Sequence, residues 1–295
     1  MSRGRRRRRK PWLAPVTVLV VLGLGVTGVV VVLKALDGGP VLTERCAALV
    51  DGTSWYLSPA QADNAALVAS TAVRRGLPAR AATVGITTAL QESKLINLDH
   101  GDRDSLGLFQ QRPSQGWGTA AQIVDPVYAT NAFYDVLIKI NGYQGMDVTE
   151  AAQRVQRSGY PEAYRQHVAQ SGAWASALTG YSHASVTCKL KPAQAAGSAR
   201  AVADRVKRDY GDVPTTTTGD NLILTLDAGA LGNGSAADDL RLSWSLAQWS
   251  VAVAGTLAVD TVTIADQTWT RTDAVWTPST TSPLPPGKVR VTLKH

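Results

Sequence analysis

Positive charges on Arg3, on the arginines at 5–9 and on Lys10 are followed at once by an uncharged, mainly apolar run over residues 12–33. A helix needs about 20 mainly apolar residues to cross the hydrocarbon core of a bilayer. The run predicts a transmembrane helix over 12–36, with 1–11 as a basic flank. Basic flanks stay on the cytoplasmic side, so everything beyond the span is expected outside, in a single-pass arrangement at the cell membrane. The alternative is a cleaved secretory signal, whose apolar stretch is shorter, about 7 to 15 residues, and ends in small residues. Leu33-Lys34-Ala35-Leu36 matches that ending poorly. Gly23-x-Gly25-x-x-Gly28 has dinucleotide-binding spacing, but no strand precedes it and it falls within the apolar run, so that reading is set aside.

The basic flank carries the whole formal net charge of +7, because without its seven cations the 30 Lys and Arg are reduced to the number of Asp and Glu, 23. A balanced body has no overall field to attract a polyanion, and no nucleic-acid partner is expected. A length of 295 residues allows about two domains, and 44% hydrophobic residues suffice for a core. Cys46 and Cys188 are the two cysteines. Outside the cell they are expected to form a disulfide, with two free thiols as the alternative. Such a bridge would stabilise the chain by about 4 to 5 kcal/mol on the chain-entropy account.

After a joint at Asp37-Gly38-Gly39-Pro40, residues 41–190 are expected to fold as a mainly α domain. Ala66, Leu67, Ala69 and Val73 predict a helix over 59–75, and Ala82, Ile86, Ala89 and Leu90 one over 79–93 behind Pro78. Further helices are expected over 126–140, 148–157 and 162–178, while 97–118 is too rich in Gly, Asp and Ser to be regular throughout. Residues 191–220 are read as a helical connector, 193–210, and a Thr-rich linker, Pro214-Thr215-Thr216-Thr217-Thr218-Gly219. Residues 221–295 are expected to form a small α+β domain. Its strands would lie at 222–226, 261–264, 268–271 and 289–293, around a helix striped by Leu242, Leu246, Trp249, Val253 and Leu257.

Chemistry concentrates in Ala89-Leu90-Gln91-Glu92-Ser93-Lys94 and, after a polar loop, Ser105-Leu106-Gly107-Leu108-Phe109-Gln110-Gln111-Arg112-Pro113. This pair of motifs resembles the lytic transglycosylase and lysozyme-like superfamily, in which a Glu-Ser pair ends a buried helix and a Gly-Leu-Met-Gln segment follows. Gly107 lies fifteen residues after Glu92, the family's separation. Phe109 stands where the family has Met, and Pro113 matches the proline that commonly closes the motif. With the continuation Ser114-Gln115-Gly116-Trp117-Gly118, the variant looks like a subgroup of wall-associated proteins of actinobacterial type. The resemblance covers roughly 60–178.

It implies a lysozyme-like domain over 41–190 that cleaves the bond between N-acetylmuramic acid and N-acetylglucosamine in peptidoglycan glycan strands. Glu92 would protonate the bond and then deprotonate the sugar's own 6-hydroxyl, giving a 1,6-anhydro end, with no cofactor and no metal. Ser105, Phe109, Gln110, Gln111, Trp117 and Tyr160 are the expected substrate contacts, Phe109 as a cleft wall. Trp117 is equally readable as a core residue closing its loop. The family's later Ala-Tyr-Asn-Ala-Gly segment has its best counterpart in Val155-Gln156-Arg157-Ser158-Gly159-Tyr160, where Gln156 takes the tyrosine position and Tyr160 offers a nearby ring.

Elementary chemistry leads to the same glutamate. A donor to a glycosidic oxygen must hold its proton near neutral pH, which an ordinary glutamate does not. Partial burial and the negative end of a helix dipole both raise a carboxyl pKa, and the end of an Ala, Ile and Leu helix supplies both. Glycosidases usually pair two carboxylates. Asp99, Asp102 and Asp104 are the candidates for a second, with loop-capping as their alternative role. His100, His167, His183 and His295 show no metal-binding spacing. Trp244, Trp249, Trp269 and Trp276 are candidate glycan contacts or core. Two alternatives to the transglycosylase stay open: a hydrolytic muramidase, and a non-catalytic module that binds wall glycan and presents its C-terminal domain to a protein partner.

Overall fold

A computed structural model describes residues 43–295, other than Gly159 and Asn221. The first element is a hairpin of β1 (Arg45–Val50) and β2 (Thr53–Leu57). Its two-residue loop, Asp51-Gly52, has both residues at positive φ, the turn whose twist suits a hairpin. A later strand, β3 (Val186–Lys189), pairs with the other edge of β1 and places Cys188 directly opposite Cys46. The two cysteines form a disulfide.

Between β2 and β3 lies a set of helices: α1 (Pro59–Arg74), α2 (Ala79–Ser93), α3 (Ala120–Val124), α4 (Pro126–Leu137), α5 (Val148–Gln156) and α6 (Val168–Leu178), with a 3-10 segment over Pro161–His167. Ser58 begins α1 with a capping box, its hydroxyl accepting from the Gln61 N–H while the Gln61 side chain accepts from the Ser58 N–H. Buried α2 packs against α1, α4, α5 and α6. Gly85 permits this close approach, because a Cβ there would stand 2.9 Å from a Val68 methyl and 3.0 Å from the Tyr134 hydroxyl.

Beyond β3 come α7 (Ala199–Tyr210), β4 (Thr215–Thr218), β5 (Ile223–Asp227), α8 (Ala236–Ala252), α9 (Ala254–Leu257), β6 (Val259–Ile264), β7 (Gln267–Thr270), β8 (Trp276–Pro278) and β9 (Lys288–Leu293). The six strands form one antiparallel sheet in the order β4-β5-β9-β6-β7-β8. Every residue of α8 from Leu242 onward is buried. A helix buried all round must have neighbours on every side, and α8 packs on β6 and β9 as well as on α1, α6 and β3.

The expected fold class is therefore corrected. In place of a mainly α domain joined to a separate α+β domain, residues 43–295 form one compact α+β unit. The helical part carries its own three-stranded sheet, and α8 belongs equally to both halves. The Thr-rich stretch expected as a linker is edge strand β4, consistent with the β preference of branched threonine. The expected helix over 162–178 divides into the 3-10 segment and α6. No helix among the described residues is long and apolar enough to cross a membrane. The basic flank, the expected span at 12–36 and the joint at 37–40 lie outside the described residues.

Candidate active site

Glu92 sits in the last turn of α2, which ends on two successive left-handed residues, Lys94 and Leu95. Two side chains of α1 hold this exit: the Gln61 amide donates to the Lys94 carbonyl and the Asn64 amide to the Leu95 carbonyl, each at 2.8 Å. Ser93, beside Glu92, brings the two sequence motifs together. Its hydroxyl lies 2.7 Å from the Leu108 carbonyl and 3.0 Å from the Ala89 carbonyl, so the downstream segment is fixed against the helix end. Gly107 lets that segment fold back: its φ is +75°, and a Cβ would collide with the Ile123 carbonyl oxygen. The turn closes through paired backbone bonds between Leu106 and Gln111 at 2.9 and 3.0 Å.

The Glu92 carboxyl is half-buried. The Tyr164 hydroxyl donates to its Oε1 at 2.6 Å. The Gln156 amide lies beside it and also donates to the Phe109 carbonyl at 2.8 Å. Burial pushes the Glu92 pKa above the usual glutamate range, while the bonds from Tyr164 and then Gln156 pull it back. Burial, together with the neighbouring Glu92 charge, drives the Tyr164 phenol well above its ordinary value, so it remains a donor. Burial thus favours the neutral form of Glu92, while the Tyr164 and Gln156 bonds favour its carboxylate.

The other expected contacts are distributed differently. Phe109 is fully buried and stacks on Phe133 with centroids 4.6 Å apart, so its side chain is core rather than cleft wall; its backbone carbonyl is what orients Gln156. Gln111 is buried behind the loop, donating to the Ala129 carbonyl at 3.2 Å. Ser105 is buried in the same loop, and the Gln110 amide contacts the His100 and Gly107 carbonyls, each at 3.3 Å. Tyr160 is 80% exposed, and the phenol that meets Glu92 belongs to Tyr164 instead. Gly159 lies outside the described residues. Trp117 is half-buried and, with Val136, Val155, Gln156 and Arg157, lines a cavity of about 340 Å³.

Sequence reasoning missed Tyr164 and the role of Gln156. The available signal was the helical spacing of Tyr164, Val168, Ser171, Ala175 and Leu178, which places a phenol on an inward face, where its hydroxyl needs a partner.

The three loop aspartates behave as loop residues. Asp104 receives Arg112 Nε at 2.6 Å and the Ser114 N–H at 2.8 Å, bonds that hold its carboxyl well below the usual range. Asp99 pairs with exposed His100, and Asp102 is exposed beside Arg103. The four C-terminal tryptophans are structural. Trp249 donates to buried Asp209, Trp269 to the Thr187 hydroxyl and Trp276 to the Val186 carbonyl, while Trp244 stacks on His183. Among the described residues, no group of three or more His, Cys, Asp or Glu is placed to hold a metal ion. In sequence comparisons, the chain matches no protein-family model and no curated protein.

Proposed function

We propose that the chain cleaves peptidoglycan glycan strands as a lytic transglycosylase, with Glu92 as its single acid and base. The observation that carries this reading is the Glu92 carboxyl itself, pushed towards its neutral form by burial while a phenol hydroxyl lies 2.6 Å from one oxygen. Neutral Glu92 gives its proton to the glycosidic oxygen as the bond to the anomeric carbon breaks. The charge left on the carboxylate is met by Tyr164 and Gln156, the two groups that favour the ionised form. That carboxylate then takes the proton of the 6-hydroxyl as its oxygen closes on the anomeric carbon, yielding a 1,6-anhydro end and restoring the acid.

A hydrolase would need a second group to activate water. The engagement of Asp104 with Arg112 and Ser114, and the solvent exposure of Asp99 and Asp102, favour the intramolecular route. The disulfide suits an oxidising, extracytoplasmic setting, where peptidoglycan lies.

The test is to incubate the full-length protein and its Glu92→Gln variant with purified peptidoglycan and to weigh the released fragments. Anhydro ends made by the unmodified protein, with a rate about 10²- to 10⁴-fold lower in the variant, are expected from loss of a general acid. Reducing ends would reassign the protein as a muramidase. Equal silence from both proteins would leave a glycan-binding module.

A further inference from the structure

Glu92 is set at a helix end that its own residues do not favour. Helices commonly close on one left-handed residue, usually glycine. Here α2 closes on two in succession, Lys94 at φ +56° and Leu95 at φ +58°. A bulky side chain keeps that conformation only where its surroundings fix it. The backbone supplies part of the hold, since the Lys94 N–H reaches the Leu90 carbonyl at 3.0 Å and the Leu95 N–H the Ala89 carbonyl at 2.9 Å. The Leu95 side chain is fully buried. The carbonyls of the two residues are met by side chains of α1, Gln61 and Asn64, each at 2.8 Å.

The start of α1 is itself held from two directions. The Gln61 amide is bonded at both ends: its oxygen accepts from the Ser58 N–H at 2.8 Å in the capping box, and its nitrogen donates to Lys94. Asp63, which lies between Gln61 and Asn64 in the chain, is held by Arg205 of α7 at 2.5 Å and by the Thr256 hydroxyl of α9 at 2.8 Å. The first turns of α1 are thus fixed by the C-terminal half, and they fix the two residues that leave α2 just after Glu92. A reacting group is placed most precisely by partners that are themselves locked onto helices.

We propose that Gln61 and Asn64 are positioning residues for Glu92, holding the left-handed exit of α2 so that the carboxyl stays half-buried and within reach of the Tyr164 hydroxyl. Both act through the backbone of Lys94 and Leu95, and the C-terminal half bears on the site through Asp63. The consequence for turnover rests on reading Glu92 as the acid; the placement of the carboxyl does not.

In the full-length protein, Gln61→Met and Asn64→Leu remove the two donors without adding a charge. The Glu92 side-chain carboxyl carbon is titrated by NMR in each, beside Ser198→Ala. That control takes the cap from α7, where the Ser198 hydroxyl accepts from the Ala201 N–H at 3.3 Å, and so lowers stability without touching the clamp. A relaxed exit weakens burial and the Tyr164 bond together. The raised midpoint should therefore fall towards the ordinary glutamate value of about 4.3 in both clamp variants and stay in place in Ser198→Ala. With peptidoglycan, the clamp variants should lose up to about 10²-fold in kcat with KM unchanged, and the alkaline limb of the pH–rate profile should move to lower pH. An unmoved midpoint in the clamp variants, or an equal movement in Ser198→Ala, would overturn the proposal. Half-exposed Gln61 decides alone if Asn64→Leu does not fold. Midpoints that move in a protein releasing no fragments would sink the transglycosylase reading and leave the positioning role standing.

Discussion

At Glu92 two opposing effects act on one proton. Burial favours the acid, and the hydrogen bonds from Tyr164 and Gln156 favour the carboxylate. Because the leading effect raises the pKa in the folded state, the native protein binds this proton more tightly than the unfolded chain does. The stability gained in this way is complete below the unfolded pKa and is lost as pH rises through the folded one. Under the proposed function, protonation-dependent cleavage is expected to fall over that same rise. In Tyr164→Phe the opposing bond is gone, so the alkaline limb of the pH–rate profile should move to higher pH. Its kcat should drop about 10- to 100-fold, since a hydrogen bond to a charged group contributes about 1.5 to 3 kcal/mol; an unmoved limb would remove Tyr164 from the mechanism. That the Glu92-Ser93 helix end and the Gly107 turn lie together was legible in the sequence because a short local spacing joins them. Tyr164 was not, since it reaches Glu92 from 72 positions away. Phe109 misled because an apolar residue in a motif reads alike whether it lines a cleft or lies behind it.

Among elements, α2 and the loop that follows it were readable for the same reason. The apolar stripe and Pro78 set the helix over Ala79–Ser93, and the loop is built by Gly107 at positive φ against the Ile123 carbonyl. Gly107→Ala is expected to destabilise by more than about 1 kcal/mol, because the substituted residue meets both an unfavourable φ and a backbone atom. Urea denaturation measures that cost, and loss of cleavage in the protein that still folds would show that the loop positions Gln156 through Phe109. The strands of the first sheet were harder to read. β1 and β2 are short, and β3 joins them from more than a hundred residues downstream, so their mutual pairing is invisible to local periodicity. The Asp51-Gly52 turn was the one local sign of the hairpin.

Over the whole molecule, the division into two domains fails at α8. The Gln248 side chain, fully buried, accepts from the Ser185 and Val186 N–H groups at 2.8 and 2.9 Å and donates to the Ala177 and Ser182 carbonyls at 2.6 and 2.8 Å. Asp209, also fully buried, is matched by Arg205, Arg208 and Trp249 and secures α7 to α8. Gln248→Ala would leave these backbone groups without partners and should destabilise by about 3 kcal/mol or more, as read from the denaturation midpoint. A chain ending near residue 190 would lose the same contacts, so the half that carries Glu92 is expected to depend on the C-terminal half for its fold. Composition shifts could not reveal this, because a helix buried between two layers carries the same apolar stripe as one that closes a small domain. The proposed chemistry depends on a Glu92 carboxyl at the end of α2 that holds its proton more tightly than an ordinary glutamate. NMR titration of the Glu92 side-chain carboxyl carbon tests it most directly: the predicted midpoint lies above the ordinary glutamate value of about 4.3 and rises further in Tyr164→Phe. A midpoint at or below that value would contradict it.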